Sequence, residues 1–199
     1  MTAIVQKDNP VLRKKAVLVT PAILKSARLK RIITLMQTAL AEETDGVALA
    51  APQIGESLRL FIVSPKALRV TTKAESKTTG APGKEAPKEK EEPEKPGLIC
   101  INPTITKRSK KTRLLDEGCL SVRPYYGKVR RSLKTTLEAL DGNGKKFTRG
   151  ASGLLAQIFQ HEVDHLDGIL FIDKAKELYT LPLPQKHTPH RPKHKTKKI

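Results

Sequence analysis

The chain has 199 residues, of which 38% are hydrophobic and 29% charged, and its formal net charge is +18. This length is enough for one domain with a buried core, whereas no apolar run reaches the roughly 20 residues that a membrane helix requires. The N-terminus lacks the apolar run of a signal peptide, and two widely separated cysteines exclude a disulfide framework, so we expect a cytoplasmic protein without membrane contact.

The first predicted element is an amphipathic helix. Thr20 and Pro21 form a typical helix start, a capping hydroxyl followed by a proline. The helix is predicted to run to about Glu43, and it carries apolar residues at spacings of three and four: Leu29, Ile32, Ile33, Met36 and Leu40. A loop rich in glycine and alanine follows at 46–55, and then a strand at 58–63.

Residues 65–96 have a different composition, dominated by lysine, glutamate and proline. Such a segment has too few apolar residues to pack, so we interpret it as a flexible insertion within a single catalytic domain, 1–174. The strand before the insertion and residues 98–103 after it are predicted to pair.

The second half of the domain is predicted to contain strands followed by a helix. A turn of alternating Asp, Gly and Asn at 141–144 indicates a hairpin between strands 132–140 and 146–148. The second helix starts near Ser152 and ends near Asp167, and a buried segment follows at 169–172. Strands lying between two helices favour an α+β fold.

The last segment, 175–199, is interpreted as a basic, disordered tail. Residues 183–199 contain six lysines and arginines and no acidic residue. A tail of this kind favours weak, salt-dependent attraction to the ribosome or its RNA, without recognition of a base sequence. With aromatic residues at 4% of the chain, a base-stacking surface is not indicated.

The most informative motif is His-Glu-x-x-His at 161–165, on the second predicted helix. His161 and His165 are four residues apart, so on a helix they share one face with Leu154 and Ile158 and can hold one metal ion. Glu162 is adjacent and can transfer protons for a water on that ion. A pair of hydrogen-bonded core histidines is the alternative, but it does not account for the glutamate between them.

A catalytic metal site of this kind needs a third ligand. Cys119, flanked by small and polar residues, is the favoured candidate, whereas Cys100 lies in an apolar stretch and is interpreted as a buried structural residue. Downstream alternatives are also present: Asp167, Asp173, Glu177, His187, His190 and His194.

Three separated segments have distinctive sequences: 46–55 (GVALAAPQIG), 117–121 (EGCLS) and 160–165 (QHEVDH). In this order they resemble the three motifs of bacterial-type peptide deformylases, and residues 4–16 are also similar to bacterial members. The resemblance covers about 4–174. It implies small antiparallel β-sheets packed around a central metal-binding helix, with one N-terminal helix.

The resemblance implies a set of chemical roles. The metal ligands would be Cys119, His161 and His165, holding Fe²⁺ in the cell or alternatively Zn²⁺ or Ni²⁺. Glu162 would be the general base and acid, and metal-bound water the nucleophile. The reaction would remove the formyl group from the N-terminal formylmethionine of newly synthesised proteins, releasing formate.

It also implies how a nascent N-formylmethionyl peptide is bound. The Gln53 amide and the Leu120 backbone N–H would stabilise the oxyanion. The backbone of Gly46, Val47 and Ala48 would pair with the peptide as an added strand, and Val47, Leu154 and Ile158 would contact the methionine side chain. The family usually has glycine at the position of Ala48, where a methyl group would narrow the groove.

Beyond the three metal ligands, the resemblance suggests that Arg131 pairs with Glu117 and orients the loop that carries Cys119. The alternative is that both are surface charges. Two other functions remain open from the residues alone. One is a metallopeptidase on the same helix, and the other is a basic RNA- or ribosome-binding protein with a structural metal site.

Overall fold

The computed structural model describes residues 3–70 and 97–180, in which two antiparallel sheets lie on either side of a buried helix. The strands are β1 (Ala48–Ala50), β2 (Leu60–Val63), β3 (Leu98–Arg108), β4 (Thr112–Gly118), β5 (Tyr125–Ser132), β6 (Lys134–Leu140), β7 (Lys146–Ser152) and β8 (Leu178–Thr180). The labelled helices are α1 (Pro21–Leu24), α2 (Ala27–Glu42) and α3 (Gly153–Leu166), and residues 65–70 are also helical.

The first sheet has five strands in the order β1-β2-β3-β6-β7, and the second has three in the order β4-β5-β8. Every neighbouring pair is antiparallel. The predicted pairing of β2 with β3 is confirmed, as is the β6–β7 hairpin. The architecture confirms the predicted α+β class, with small antiparallel sheets around a central helix.

The predicted N-terminal helix is in fact two helices. Ser26 explains the break, because its hydroxyl donates to the Ile23 carbonyl over 2.6 Å and accepts from the Leu29 N–H over 3.2 Å. A serine in this position ends one helix and caps the next. The apolar stripe of α2 is buried as predicted, with Leu29 and Met36 essentially inaccessible.

Helix α3 lies at the centre of the molecule, and ten of its fourteen residues are buried. Phe159 packs against Phe61 of β2, with ring centroids 6.1 Å apart. Contacts of this kind hold α3 against the first sheet. The segment after the helix is buried at Leu170 and Phe171, as predicted.

Two ordered segments occupy stretches in which the sequence indicated little structure. Residues 65–70 are helical and Ala67 is buried, although they form the start of the predicted insertion. Near the C-terminal end of the described chain, β8 lies inside the predicted tail and pairs with β5. Tyr126 is opposite Tyr179 in this pairing, and their rings stack. The remaining parts of the insertion and tail, 71–96 and 181–199, lie outside the described residues.

Within residues 3–70 and 97–180, no helix is both long enough and apolar enough to cross a membrane.

Candidate active site

Three potential metal ligands converge between α3 and the end of β4. The ligand atoms of Cys119, His161 and His165 all lie within 4.8 Å of one another. Cys119 Sγ is 3.2 Å from His165 Nε2. A sulfur and a nitrogen bound to one tetrahedral ion stand about 3.5 Å apart, so this spacing fits a shared ion.

The other ligand candidates do not join this group. Asp167 pairs with Arg59 and Asp173 pairs with Arg13, while Glu177 is exposed. His187, His190 and His194 lie outside the described residues. Among the described residues, the cysteine and two histidines therefore form the donor set.

Cys119 directly follows Gly118, the last residue of β4, and this glycine is required for its position. A Cβ atom at Gly118 would collide with the ring of Tyr126 on the neighbouring strand. Only glycine allows β4 and β5 to approach this closely while Cys119 turns towards α3.

Glu117 sets the orientation of His161. Its Oε2 is 3.0 Å from His161 Nδ1, which leaves the other ring nitrogen facing Cys119. Arg131 binds the same carboxylate with both arms of its guanidinium, over 2.7 and 2.9 Å. Burial raises the pKa of Glu117, but the hydrogen bonds from Arg131 and His161 outweigh it and lower the pKa to about 2. Glu117 is therefore an anion that holds the histidine ring.

Asp164 also belongs to this network, although no sequence motif assigns it a role. Arg131 Nη1 is 2.6 Å from Asp164 Oδ2, and Lys174 Nζ is 2.6 Å from the other oxygen. A carboxylate on a buried helix requires partners of opposite charge. An aspartate on a helix that is predicted to be buried was therefore the sequence signal that could have pointed to Asp164.

Glu162 is buried beside the donor set, 4% exposed. Its Oε2 is buried without a hydrogen-bond partner among the described residues, and the residue lines the cleft. Burial raises the pKa of Glu162 to about 7, against the opposing effect of His161. A carboxyl with such a pKa can both accept and release a proton near neutral pH.

Gln53 also lies beside the three potential metal ligands, and it comes from the first sheet. It lies in a 3-10 turn (Ala51–Ile54) directly after β1. Its Oε1 accepts the Ala50 N–H over 2.8 Å, so its Nε2 must point the other way, 3.1 Å from Ser121 Oγ and 3.5 Å from Cys119 Sγ. The amide is thus a fixed donor next to the sulfur.

A cleft of about 270 Å³ opens over these groups. All of the residues predicted to bind substrate line it: Gly46, Val47, Ala48, Gln53, Leu120, Leu154 and Ile158. β1 forms one wall, and it is the outermost described strand of its sheet. Its outer edge is therefore open to an extended peptide.

The opposite wall contains residues that the sequence did not single out. Arg123, Tyr125, Tyr126 and Gln157 all line the cleft. Arg123 forms ion pairs across the cleft mouth with Glu43 and Asp45. These partners are distant in sequence, so only the fold brings them together.

Known proteins match this chain in sequence and structure. A peptide deformylase of Roseiflexus sp. (strain RS-1) is 37% identical over 182 residues, which are 89% of this chain and 90% of the relative. Among solved structures, an actinonin-bound class I type b peptide deformylase from Acinetobacter baumannii has a TM-score of 0.70 at 29% identity, covering 88% of this chain and 99% of that one. A Met-Ala-Ser-bound structure of a class I type b enzyme from the same organism has a TM-score of 0.68 at 29% identity, covering 87% and 98%.

The family model described as polypeptide deformylase matches residues 1–180. That match spans the open edge of β1, the Cys119 loop and the histidines of α3. The sequence resemblance is thereby confirmed, and the chain belongs to the polypeptide deformylase family.

Proposed function

We propose that Glu162, Gln53 and Leu120 carry out in this chain the reaction of its family. That reaction is the metal-dependent hydrolysis of the formyl group on an N-terminal formylmethionine, with release of formate. The observation that carries the proposal is the meeting of a three-ligand donor set with an unpartnered, buried carboxyl at one cleft.

We propose that Cys119, His161 and His165 hold the metal. One thiolate and two imidazoles leave a fourth tetrahedral position open, as a catalytic site requires. A bound divalent ion would act there as a Lewis acid and lower the pKa of a water molecule. This donor set suits Fe²⁺, Zn²⁺ and Ni²⁺ alike, and we propose Fe²⁺ as the ion in the cell.

Glu162 would handle the protons of the reaction. It takes one from the attacking water as the oxygen adds to the formyl carbon, and it passes a proton to the departing amine nitrogen as the C–N bond breaks. Its buried Oε2 has no partner among the described residues that competes for that proton. The products are formate and a free N-terminal amine.

The charge that develops on the formyl oxygen needs donors already in place. Gln53 Nε2 is fixed because Ala50 N–H holds the other end of the amide. The backbone N–H of Leu120, which follows Cys119 in the chain and lines the cleft, is the second proposed donor. The Gln53 amide is therefore held in one orientation before substrate binds.

The nascent peptide would lie along the outer edge of β1, pairing with the backbone of residues 46–48. Val47, Leu154 and Ile158 would contact the methionine side chain, since all three line the cleft. We propose that the methyl group of Ala48, which is buried and lines the cleft, narrows the groove. The peptide in the Met-Ala-Ser-bound relative supports binding of this class of ligand.

Replacement of Glu162 tests the assignment. Glu162→Ala should retain the metal and lose about 10²- to 10⁴-fold in turnover of a formyl-Met peptide, since only proton transfer is removed. Metal content measured on the same preparation is the control. Normal turnover by this variant would contradict the proposed role of Glu162. Cleavage of internal peptide bonds by the wild type would instead favour a metallopeptidase.

We also propose that the protein acts in the cytoplasm and that residues 183–199, the basic part of the predicted tail, contact the ribosome. Support comes from the charge of residues 183–199 alone. Deleting 183–199 should weaken ribosome binding in a salt-dependent way and leave small-peptide turnover unchanged. Equal ribosome affinity with and without the tail would refute this contact.

A further inference from the structure

A dense group of basic side chains, which we call the basic pole, lies where the ends of β3 and β5 meet the starts of β4 and β6. Its members are all exposed: Lys107, Arg108, Lys110, Lys111, Arg113, Arg130 and Lys134. No acidic residue occurs at 104–115 or at 129–137. The pole is thus a separate concentration of charge in the folded domain, distinct from the C-terminal tail.

Backbone pairing brings these residues together from four strand ends. Arg130 lies opposite Leu114 in the β4–β5 register, and Arg108 lies opposite Thr135 in β3–β6. The turn between β3 and β4 is tied to the start of β6, since Ser109 N donates to Lys134 O over 2.9 Å. The grouping therefore follows from the fold and not from flexible side chains.

The charges of the pole are not neutralised by the described part of the chain. Among residues 3–70 and 97–180, no carboxylate forms an ion pair with any member of the pole. Several other arginines on the surface do have acidic partners: Arg13, Arg28 and Arg123. A group of exposed like charges produces a strong local field, which attracts polyanions.

A cavity of about 550 Å³ opens into the pole. Arg108, Arg130 and the hydroxyl-bearing Thr112 line it, together with the buried Arg131 and the exposed Lys174. The only carboxylate in its lining, Asp164, is already paired with Arg131 and Lys174. The cavity therefore offers guanidinium and hydroxyl donors to one anionic group, as a phosphate requires.

We propose that the basic pole binds the sugar–phosphate backbone of RNA without reading its sequence, with one phosphate seated in this cavity. An anionic membrane is less suitable, because residues 104–115 and 129–137 contain no aromatic side chain to enter a lipid interface. The choice of RNA over DNA rests on the proposed function, since formylated chains emerge from the ribosome.

The position of the pole is compatible with catalysis on bound RNA. β4 begins at the pole with Thr112 and ends at the cleft with Gly118. Six steps along a strand span about 20 Å. RNA held at the pole therefore leaves the cleft open to a peptide.

The test uses the full-length metal-loaded protein and a fluorescein-labelled oligouridylate of about 20 nucleotides. Fluorescence anisotropy is measured across a salt series for the wild type and for K110A/K111A/R113A. Loss of three phosphate contacts should weaken binding at least about tenfold at 0.1 M salt and reduce the slope of log affinity against log salt by about 2. Turnover of a formyl-Met peptide should be unchanged.

The matched control, K25A/K30A/R31A, removes the same charge from exposed positions around α2. It should leave the salt slope near the wild-type value, and both triple variants keep the tail. An equal loss in both would assign the binding to overall charge and overturn the proposal. Retention of RNA affinity in the pole variant, or pole-dependent binding only to vesicles of anionic phospholipid, would also overturn it. Because turnover is measured separately, failure of RNA binding is distinguishable from failure of deformylation.

Discussion

Arg131 is a buried cation that serves two carboxylates at once. It is 4% exposed and binds Glu117 on β4 and Asp164 on α3. Glu117 in turn holds His161, so the guanidinium links the second sheet to a ligand of the proposed metal. Partners of this kind orient the ligands of metal sites.

We expect Arg131→Ala to lower the free energy of unfolding by about 3–5 kcal/mol, since it leaves two buried carboxylates without their shared cation. Metal affinity should fall by about 10- to 100-fold. Urea unfolding and metal titration measure the two effects. Arg113, opposite Arg131 in the β4–β5 register but exposed, provides the control, and Arg113→Ala should change stability by less than about 0.5 kcal/mol. A stability loss no larger than the control's would contradict the account.

At this scale the sequence anticipated much of the site. Cys119, His161 and His165 are brought together as the motifs predicted, and Gln53 and Glu162 lie beside them. Asp164 and Arg123 were missed. Their roles depend on partners distant in the chain, which no local pattern indicates.

Among the elements, β3 depends on one unusual residue. Asn102 has φ = 52°, a left-handed conformation, where the pairing of β3 with β6 shifts register. Its side chain accepts from Val19 N–H over 2.9 Å and donates to Val19 C=O over 2.8 Å. The Asn102 amide thereby satisfies both the N–H and the C=O of Val19, which lies in the segment that leads into α1.

Asn102→Ala should destabilise the protein by about 2–4 kcal/mol, because it leaves Val19 unpaired and places alanine at positive φ. Asn102→Gly separates the two causes, since glycine adopts this conformation freely but makes no hydrogen bond. Chemical denaturation should rank the wild type above Gly and Gly above Ala. Equal stability of all three would show that neither contribution matters.

The elements that were predicted correctly carry strong local signals. The β6–β7 hairpin follows from its Asp-Gly turn, and α3 follows from its apolar spacing and its start near Ser152. The composition of 46–55 predicts a loop, because alanine and glycine have little strand preference, and this prediction is wrong for β1. Pairing with β2 makes residues 48–50 a strand, and that is a tertiary effect.

For the whole molecule, the sequence predicted the α+β class and the family, and both are confirmed. The sequence did not predict which residues form the two walls of the cleft, because these walls come from different sheets that lie on either side of α3. The same topology separates the cleft from the basic pole along β4. Catalysis and RNA contact can therefore be tested independently.

Formate release from formyl-Met-Ala, measured together with metal content, is the direct test of metal-dependent deformylation by this chain. Protein purified without oxygen should contain about one divalent ion per chain, since the three donors form a single site. Turnover should disappear when a chelator removes the ion and return when Fe²⁺ is restored. Turnover that persists in metal-free protein, or its absence in fully loaded protein, would contradict metal-dependent deformylation at Cys119, His161 and His165.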